Sequence, residues 1–284
     1  MSHAAGHRVA PRGRFVRPRR ILFFLWVLGA TLLVVFPIYL VFMVSVAPGI
    51  AIFGERPALF VTHPTLRFWM RVIARGDLWA PLVKSLTVAS LTTLVAVATA
   101  APAAYVIARL PARLRYGLVI GLLVTRMFPE FAIGVSVATR FAQIGLLDDY
   151  LGLILAHLIG ALPFIAWILV GTFVDIPREL EEAAAMDGAS RLGTLLRVII
   201  PAATPGLAVA ALFVWLYSWN EFLYARLLTT SQNTLPLQVF QAIDRGTKQQ
   251  MATVAAVLLF PVLCVVSVLQ RYLQPGTLTG AVKG

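Results

Sequence analysis

The sequence predicts an all-α polytopic membrane protein with six transmembrane helices. Of its 284 residues 60% are hydrophobic and only 13% are charged, about half the charged fraction of an ordinary soluble domain. The apolar residues also fall in long unbroken blocks instead of being spread along the chain, which is typical of membrane-spanning helices and not of a soluble core.

A helix needs roughly 20 apolar residues to cross the hydrocarbon core of a bilayer. Five blocks meet this requirement and predict spans over about 21–47, 85–108, 150–174, 202–222 and 249–270. A sixth span, 117–139, is expected if Arg126 and Glu130 are accommodated. The first block is too long for a signal peptide, so we expect an uncleaved anchor. The predicted organisation is a basic segment, 1–20, and one membrane domain, 21–284, in which residues 175–201 form a connecting loop.

The basic residues predict the orientation of the chain. With six spans, fourteen arginines and lysines lie on the side of the N-terminus and eight on the opposite side. Because such an excess marks the cytoplasmic side, both termini are expected in the cytoplasm. The net charge of +12 does not indicate nucleic-acid binding, since arginines beside spans determine topology and contact anionic lipid.

A short amphipathic helix is predicted on the outer side, over Pro64 to Arg75. Its apolar residues recur at helical spacing on one face, and its arginines occupy another face. The apolar set is Leu66, Trp69, Met70 and Ile73. We expect this helix to lie on the membrane surface.

The cytoplasmic loop from Asp175 to Pro201 differs from the rest of the chain because it holds five of the twelve acidic residues. Good helix formers follow Pro177, Gly188 is suited to ending a helix, and a second helical run ends at Pro201. The predicted shape is a helix, a turn and a helix lying across the cytoplasmic face. From composition alone, the first helix is either a docking surface for a partner or an ordinary solvated helix.

The same loop resembles the EAA loop of ATP-binding-cassette importer permeases, whose signature is E-A-A, three residues, G, nine residues, I-x-L-P. The matching residues are Glu182, Ala183, Ala184, Gly188, Val198, Ile200 and Pro201, with Asp187 and Ala189 completing a D-G-A triplet. Val198 and Ile200 replace the usual Ile and Leu but stay apolar. Segments 126–129, 219–222 and 280–284 are similar to the maltose-type carbohydrate branch, and the resemblance extends from about Leu78 to the end.

The resemblance implies that this chain is one permease half of an importer in the inner membrane of a bacterial cell. A second, related permease would complete the path, a cytoplasmic ATPase dimer would bind ATP and Mg²⁺, and an extracytoplasmic binding protein would deliver the solute. The chain has no phosphate-binding loop of the G-x-x-x-x-G-K-[ST] type, so we expect no cofactor in it and no enzymatic activity. The residues expected to couple to the ATPase are Glu182, Ala183, Ala184, Asp187 and Gly188.

Polar residues within the spans are candidates for the solute path. Arg126 and Glu130 are expected to face the protein interior on one side of the third span, either as a path-lining pair or as a structural pair, with Pro129 bending the helix between them. The end of the fifth span combines aromatic with amide and carboxylate groups, which suits a hydroxyl-rich sugar, although an interfacial aromatic belt has the same composition. These residues are Tyr217, Trp219, Asn220 and Glu221.

Three alternatives remain at this stage. An ion-coupled secondary transporter would place more ionisable residues in the membrane and would lack the EAA loop. A membrane-embedded enzyme would need a catalytic cluster, which the predicted spans do not contain. Within the importers, the same loop serves permeases for other solutes, such as a glycerol phosphate ester. The expected solute is therefore a di- or oligosaccharide or a polyol on the strength of the carbohydrate-branch segments alone.

Overall fold

The computed structural model describes residues 18–48, 60–61, 63–74, 76 and 78–270, and these residues form helices joined by turns, with no strand among them. Most of the predicted basic segment 1–20 lies outside the described residues, as do Arg75 and the C-terminal segment 280–284. The prediction of an all-α membrane protein is therefore confirmed for the part of the chain that is described.

Twelve helices follow one another in the described residues. They are α1 (Pro18–Val46), α2 (Arg67–Ala74), α3 (Trp79–Arg109), α4 (Ala112–Val124), α5 (Glu130–Ile144), α6 (Tyr150–Val174), α7 (Glu179–Met186), α8 (Arg191–Ala202), α9 (Thr204–Asn220), α10 (Leu223–Leu228), α11 (Leu235–Arg245) and α12 (Lys248–Leu269). Four of them, α1, α3, α6 and α12, are long and apolar enough to cross a membrane alone. The pairs α4–α5 and α8–α9 are bent, and six spans result if each pair counts as one.

The predicted third span, 117–139, differs from the structure because it is two helices and not one bent helix. After α4 the chain makes a 3₁₀ turn over Thr125–Met127, and the axes on either side of the break differ in direction by 81°. Phe128 is extended, with φ −70° and ψ 141°, because the ring of Pro129 disfavours the helical region for the residue before it. Arg126 and Glu130 therefore do not share a helix.

The predicted fifth span, 202–222, also follows a sharp bend. Helices α8 and α9 differ in direction by 78°, and α8 contains a π-helical turn over Leu195–Ile199. Pro205 lies in the first turn of α9, where its missing N–H removes no helical hydrogen bond. Loop 175–201 and α9 thus meet at a corner.

The centre of the bundle is made by α3, α6 and α9, which pack against one another. One face of α3 consists of small buried residues that let α6 approach closely, as is usual between membrane helices. They are Ala96, Ala100, Ala101, Ala104 and Ala108. The N-terminal α1 packs on α12 and α2 and leaves most of its apolar surface exposed.

The amphipathic segment is helical over Arg67–Ala74, shorter than predicted. Its Trp69 turns towards the protein, where the indole Nε1 donates a hydrogen bond of 3.1 Å to Ser45 Oγ on α1, and Val72 is buried. Leu66, Met70 and Ile73 are exposed. The predicted apolar side chains therefore have two different environments. Trp69 anchors α2 to α1, whereas the other three are exposed and available to lipid.

Loop 175–201 has the predicted helix–turn–helix shape. Helix α7 ends before Gly188, which has a φ of +81°, a conformation that residues with a Cβ rarely adopt. The amide of Ala189 donates to the carbonyl of Ala184, which closes the helix end. Ser190 then caps α8, since its hydroxyl accepts a 3.1 Å hydrogen bond from the amide of Gly193.

Helix α3 begins six residues before the predicted span, and this additional part includes Lys84. Lys84 lies at the end of α3 that is far from α7 and is fully buried. Its Nζ donates to the carbonyl of Gln232 at 2.7 Å and lies 3.7 Å from Asp148 Oδ1. Asp148 also accepts hydrogen bonds from the amides of Thr230 (3.1 Å) and Ser231 (2.8 Å). These contacts join three separate parts of the chain at one point.

The carboxyl group of Asp148 is stabilised in its charged form. Burial alone would raise the pKa of Asp148, but the hydrogen bonds from Ser231 and Thr230 outweigh it and hold the pKa well below its usual range. Because the folded pKa lies below the unfolded one, these bonds stabilise the fold fully above the unfolded pKa of about 3.9, and this stabilisation is lost as the pH falls towards the folded pKa.

We predict that Asp148→Asn lowers the free energy of unfolding of the purified full chain by about 1–3 kcal/mol, because the buried ammonium of Lys84 loses its counter-charge. Thermal unfolding in detergent measures the effect, and Asp175→Asn, which removes an exposed carboxylate, is the control. The difference between wild type and Asp148→Asn should be constant above about pH 5 and should shrink below about pH 4. Equal melting temperatures at neutral pH would contradict this role of Asp148.

Candidate functional site

A cavity of about 580 Å³ opens between the break of α4 and α5, the middle of α6 and the end of α9. Its wall combines aromatic rings, an amide, a guanidinium and two carboxyl groups. The residues that carry these groups are Phe164, Phe213, Tyr217, Asn220, Arg126, Glu130 and Glu221. Five of the six predicted path residues therefore line one cavity.

Arg126 and Glu130 remain close although a helix break separates them. Arg126 Nη2 lies 3.8 Å from Glu130 Oε1. The guanidinium carbon also lies 5.7 Å from the ring centre of Phe164 and 5.6 Å from that of Tyr217, within the range of a cation–π interaction. Arg126 thus contacts α5, α6 and α9 at once, and it both lines the cavity and ties the three helices together.

Tyr217 lies over Gly160 of α6 at the floor of the cavity. A Cβ atom added to Gly160 would be 2.1 Å from the Tyr217 hydroxyl, so this approach requires glycine. The hydroxyl is buried and has no hydrogen-bond partner within the described part of the chain. A buried hydroxyl without a partner costs free energy, and a ligand with hydroxyl groups in the cavity would satisfy it.

Glu221 lies where α9 ends and α10 begins, and its carboxylate has a structural task besides lining the cavity. It accepts hydrogen bonds from the amides of Tyr224 (2.8 Å) and Ala225 (3.1 Å) at the start of α10, which have no partner inside the helix. Its Oε2 lies 3.2 Å from His157 Nε2, and His157 Nδ1 lies 2.7 Å from Ser218 Oγ. His157 is buried, as expected of a core residue.

Asn220 and Trp219 are adjacent in sequence but differ in position. Asn220 lines the cavity and its Nδ2 donates to the carbonyl of Leu216 at 2.8 Å. Trp219 is buried on another face of α9, where its ring stacks on Trp215 with 5.0 Å between centroids. The structure does not bring Trp219 to the cavity, because consecutive residues on a helix point about 100° apart.

The five predicted coupling residues lie together on α7 and the turn after it. Glu182, Ala183, Asp187 and Gly188 are exposed, while Ala184 is buried at 8% exposure. The neighbouring Glu181 instead points at the membrane helices and pairs with Arg109 at the end of α3. The loop therefore has an outward face that holds four of the five predicted residues, and an inward face, which includes Ala184 and Glu181, that holds it to the bundle.

Sequence reasoning did not find several residues of the cavity wall. Phe164, Phe213 and Gly160 lie among apolar residues of spans and had no local signal that distinguished them. Ser218 is also unremarkable in sequence, although its contact with His157 supports the position of Glu221. The signal that would have identified the cavity wall is the contact of Tyr217 with Gly160, which joins residues far apart in the sequence.

Together these groups suit a neutral, polyhydroxylated ligand. Aromatic faces pack against the apolar faces of a sugar ring, and carboxylate, amide and hydroxyl groups form hydrogen bonds with its hydroxyls. The lining contains one guanidinium and two carboxyl groups, so it holds more acidic than basic side chains. A phosphate ester would be repelled by this wall, whereas an uncharged ligand would not.

Comparison with known proteins agrees with this arrangement. The family of binding-protein-dependent transport system inner membrane components matches residues 96–279. The trehalose transport system permease protein SugB of Mycobacterium tuberculosis is 36% identical over 221 residues, 75% of this chain and 81% of that protein. The trehalose/maltose transport system permease protein MalG of Thermococcus litoralis is 30% identical over 273 residues, 94% of this chain and 98% of that protein.

A solved structure shares the fold. It is that of a bacterial ABC transporter involved in the import of the acidic polysaccharide alginate, with a TM-score of 0.74 and 22% identity over 94% of this chain and 100% of the solved one. The family match spans more than half of the sequence and both relatives cover most of it. The chain belongs to the family of binding-protein-dependent transport system inner membrane components and is a permease subunit of an ATP-binding-cassette importer.

Proposed function

We propose that this chain forms half of a translocation path for a neutral carbohydrate, a di- or oligosaccharide or a polyol, which contacts the cavity at the α4–α5 break. The observation that carries the proposal is the cavity wall, in which aromatic faces alternate with hydroxyl-binding groups around the unpartnered hydroxyl of Tyr217. The names of the two relatives, which refer to trehalose and maltose, support the same solute class.

In this proposal each bent pair is one span, so the chain crosses the inner membrane six times. The excess of arginines and lysines near the N-terminus, the α3–α4 turn and loop 175–201 supports cytoplasmic termini. The cavity then faces the centre of the transporter, where a second, related permease supplies the other wall of the path.

The energy source is a separate ATPase dimer, which binds ATP and Mg²⁺ and docks on α7, so this chain carries no cofactor of its own. The exposed face of α7 supports this, since Ala183 has little bulk and Glu182 and Asp187 can pair with basic groups of a partner. A binding protein delivers the solute on the opposite side, where α11 and the loop around it lie. Nucleotide shifts the path only if α7 makes different contacts in the two states.

The solute class is tested by reconstituting the transporter with its partner subunits in proteoliposomes and measuring ATP hydrolysis with a solute panel. The panel holds trehalose, maltose, a polyol and a glycerol phosphate ester. We predict stimulation by at least one of the uncharged solutes and none by the ester, because the wall holds more acidic than basic side chains. Stimulation by the ester alone would contradict the carbohydrate assignment.

We predict that Gly160→Ala reduces solute uptake by about tenfold or more, because the new Cβ would displace the Tyr217 ring into the cavity and spoil the fit of the solute. Gly171→Ala is a matched control, since it lies on the same helix with no atom within 4 Å of the added Cβ. Uptake of the preferred sugar measures the effect. If the two variants transport equally well, the cavity is not the path.

We predict that Gly188→Val uncouples ATP hydrolysis from uptake while the protein still inserts. A β-branched residue at a φ of +81° costs about 1–3 kcal/mol, so the turn after α7 changes shape. Gly145→Val is the control, because Gly145 has a similar φ of +75° and equal space but lies far from loop 175–201. The ratio of solute transported to ATP hydrolysed should fall in the first variant alone; an unchanged ratio in Gly188→Val would refute the coupling role of the turn.

A further inference from the structure

Arg109, the last residue of α3, connects three elements at the cytoplasmic end of the bundle. Its Nη1 donates to the carbonyl of Phe173 at 2.7 Å and its Nη2 to the carbonyl of Ile176 at 3.3 Å, at and just beyond the end of α6. Its Nε and Nη2 meet the carboxylate of Glu181 on α7. The planar guanidinium thus donates hydrogen bonds to the end of α6 and to α7 at the same time.

The ion pair between Arg109 and Glu181 is supported by a third residue, Tyr105. The hydroxyl of Tyr105, one turn earlier on α3, donates to Glu181 Oε2 at 2.9 Å, and the ring of Tyr105 packs edge-on against Phe173 with 5.9 Å between centroids. The side chains of Arg109 and Glu181 are 17% and 22% exposed. Hydrogen bonds between charged groups are stronger than neutral ones, and partial burial reduces their screening by solvent.

We name Arg109, Tyr105 and Glu181 the inner clamp. Among the residues that the structure describes, no other salt bridge joins α7 to a membrane helix. The rest of α7 meets the protein mainly through the small side chain of Ala184 and through α8. The clamp is therefore the strongest directional contact between the cytoplasmic helix and the ends of α3 and α6.

We infer that Arg109 is the positioning residue that makes α7 move as one body with α3 and α6, so that the clamp transmits ATPase motion to the solute path. The inference rests on the proposed docking of the ATPase on α7. Motion of α7 reaches the spans only through contacts that persist while it moves. Without this ion pair, α7 can follow the ATPase while the membrane helices stay in place.

The first measurement tests rigidity without any partner. The full-length chain, with Cys264→Ala as background, is spin-labelled at Ala98→Cys on α3 and Ala185→Cys on α7, both exposed positions, and placed in lipid nanodiscs. The distance distribution between the labels should broaden in Arg109→Gln and Glu181→Gln. It should stay narrow in Glu179→Gln and Arg113→Gln, which remove the same charges from exposed neighbouring positions.

The second measurement uses the reconstituted transporter with its partner subunits and the sugar that best stimulates ATP hydrolysis. The amount of sugar taken up per ATP should fall by about tenfold in the clamp variants, the effect of losing one charge-assisted hydrogen bond, while the ATPase still co-purifies. A purely structural role would lower the amount of protein without changing this ratio.

Each outcome decides the inference. Narrow distributions or an unchanged uptake ratio in both clamp variants would overturn it. If Arg109→Gln fails to fold, Glu181→Gln carries the test, because it leaves the bonds of Arg109 to the two carbonyls of α6 in place. If the ATPase does not co-purify even with the wild-type chain, the proposed function fails instead, and the label distances still report whether the clamp holds α7.

Discussion

The structure depends on one constraint, which is that charged side chains inside an apolar bundle must find partners at helix ends or in loops. Lys84 donates to a loop carbonyl, Arg109 to carbonyls at the end of α6, and Glu221 accepts from the first amides of α10. Helix ends are the places where backbone groups lack partners of their own. These three charged side chains are therefore paired with backbone carbonyls or amides, which is how a bundle of this composition tolerates charged residues.

The same constraint explains which prolines break a helix. Pro37, Pro102, Pro163 and Pro261 all lie inside helices that continue past them, whereas the chain turns sharply at Pro129. A break leaves backbone groups that need water or polar partners. The segment around Pro129 borders the cavity and carries the side chains of Arg126 and Glu130, while the other four prolines lie in apolar stretches where unpaired backbone groups would cost more.

The sequence was sufficient where structure follows from local pattern. The apolar blocks predicted the long helices, Gly188 predicted the turn after α7, and Pro129 predicted a change of direction although not a full break. Contacts between distant parts of the chain could not be predicted from the sequence. Arg109 was counted only as one of many cytoplasmic arginines, since nothing local shows that it meets Glu181, and the side of α9 that faces the cavity depended on packing that separates Trp219 from Tyr217.

Helix α6 connects the inner clamp with the cavity, because its C-terminal end contacts the clamp and its middle lines the cavity. Its C-terminal end is bound by Arg109 through the carbonyls of Phe173 and Ile176, and its Gly160 forms the floor of the cavity under Tyr217. Phe173 lies thirteen positions after Gly160 in the same helix, a distance of about 20 Å at 1.5 Å per residue. In the proposed coupling, a displacement at the inner clamp is passed along α6 to Gly160, which lies beneath the Tyr217 hydroxyl. That hydroxyl has no hydrogen-bond partner in the described part of the chain. In this proposal α7 acts on the cavity through α6, since no residue of α7 lines the cavity itself.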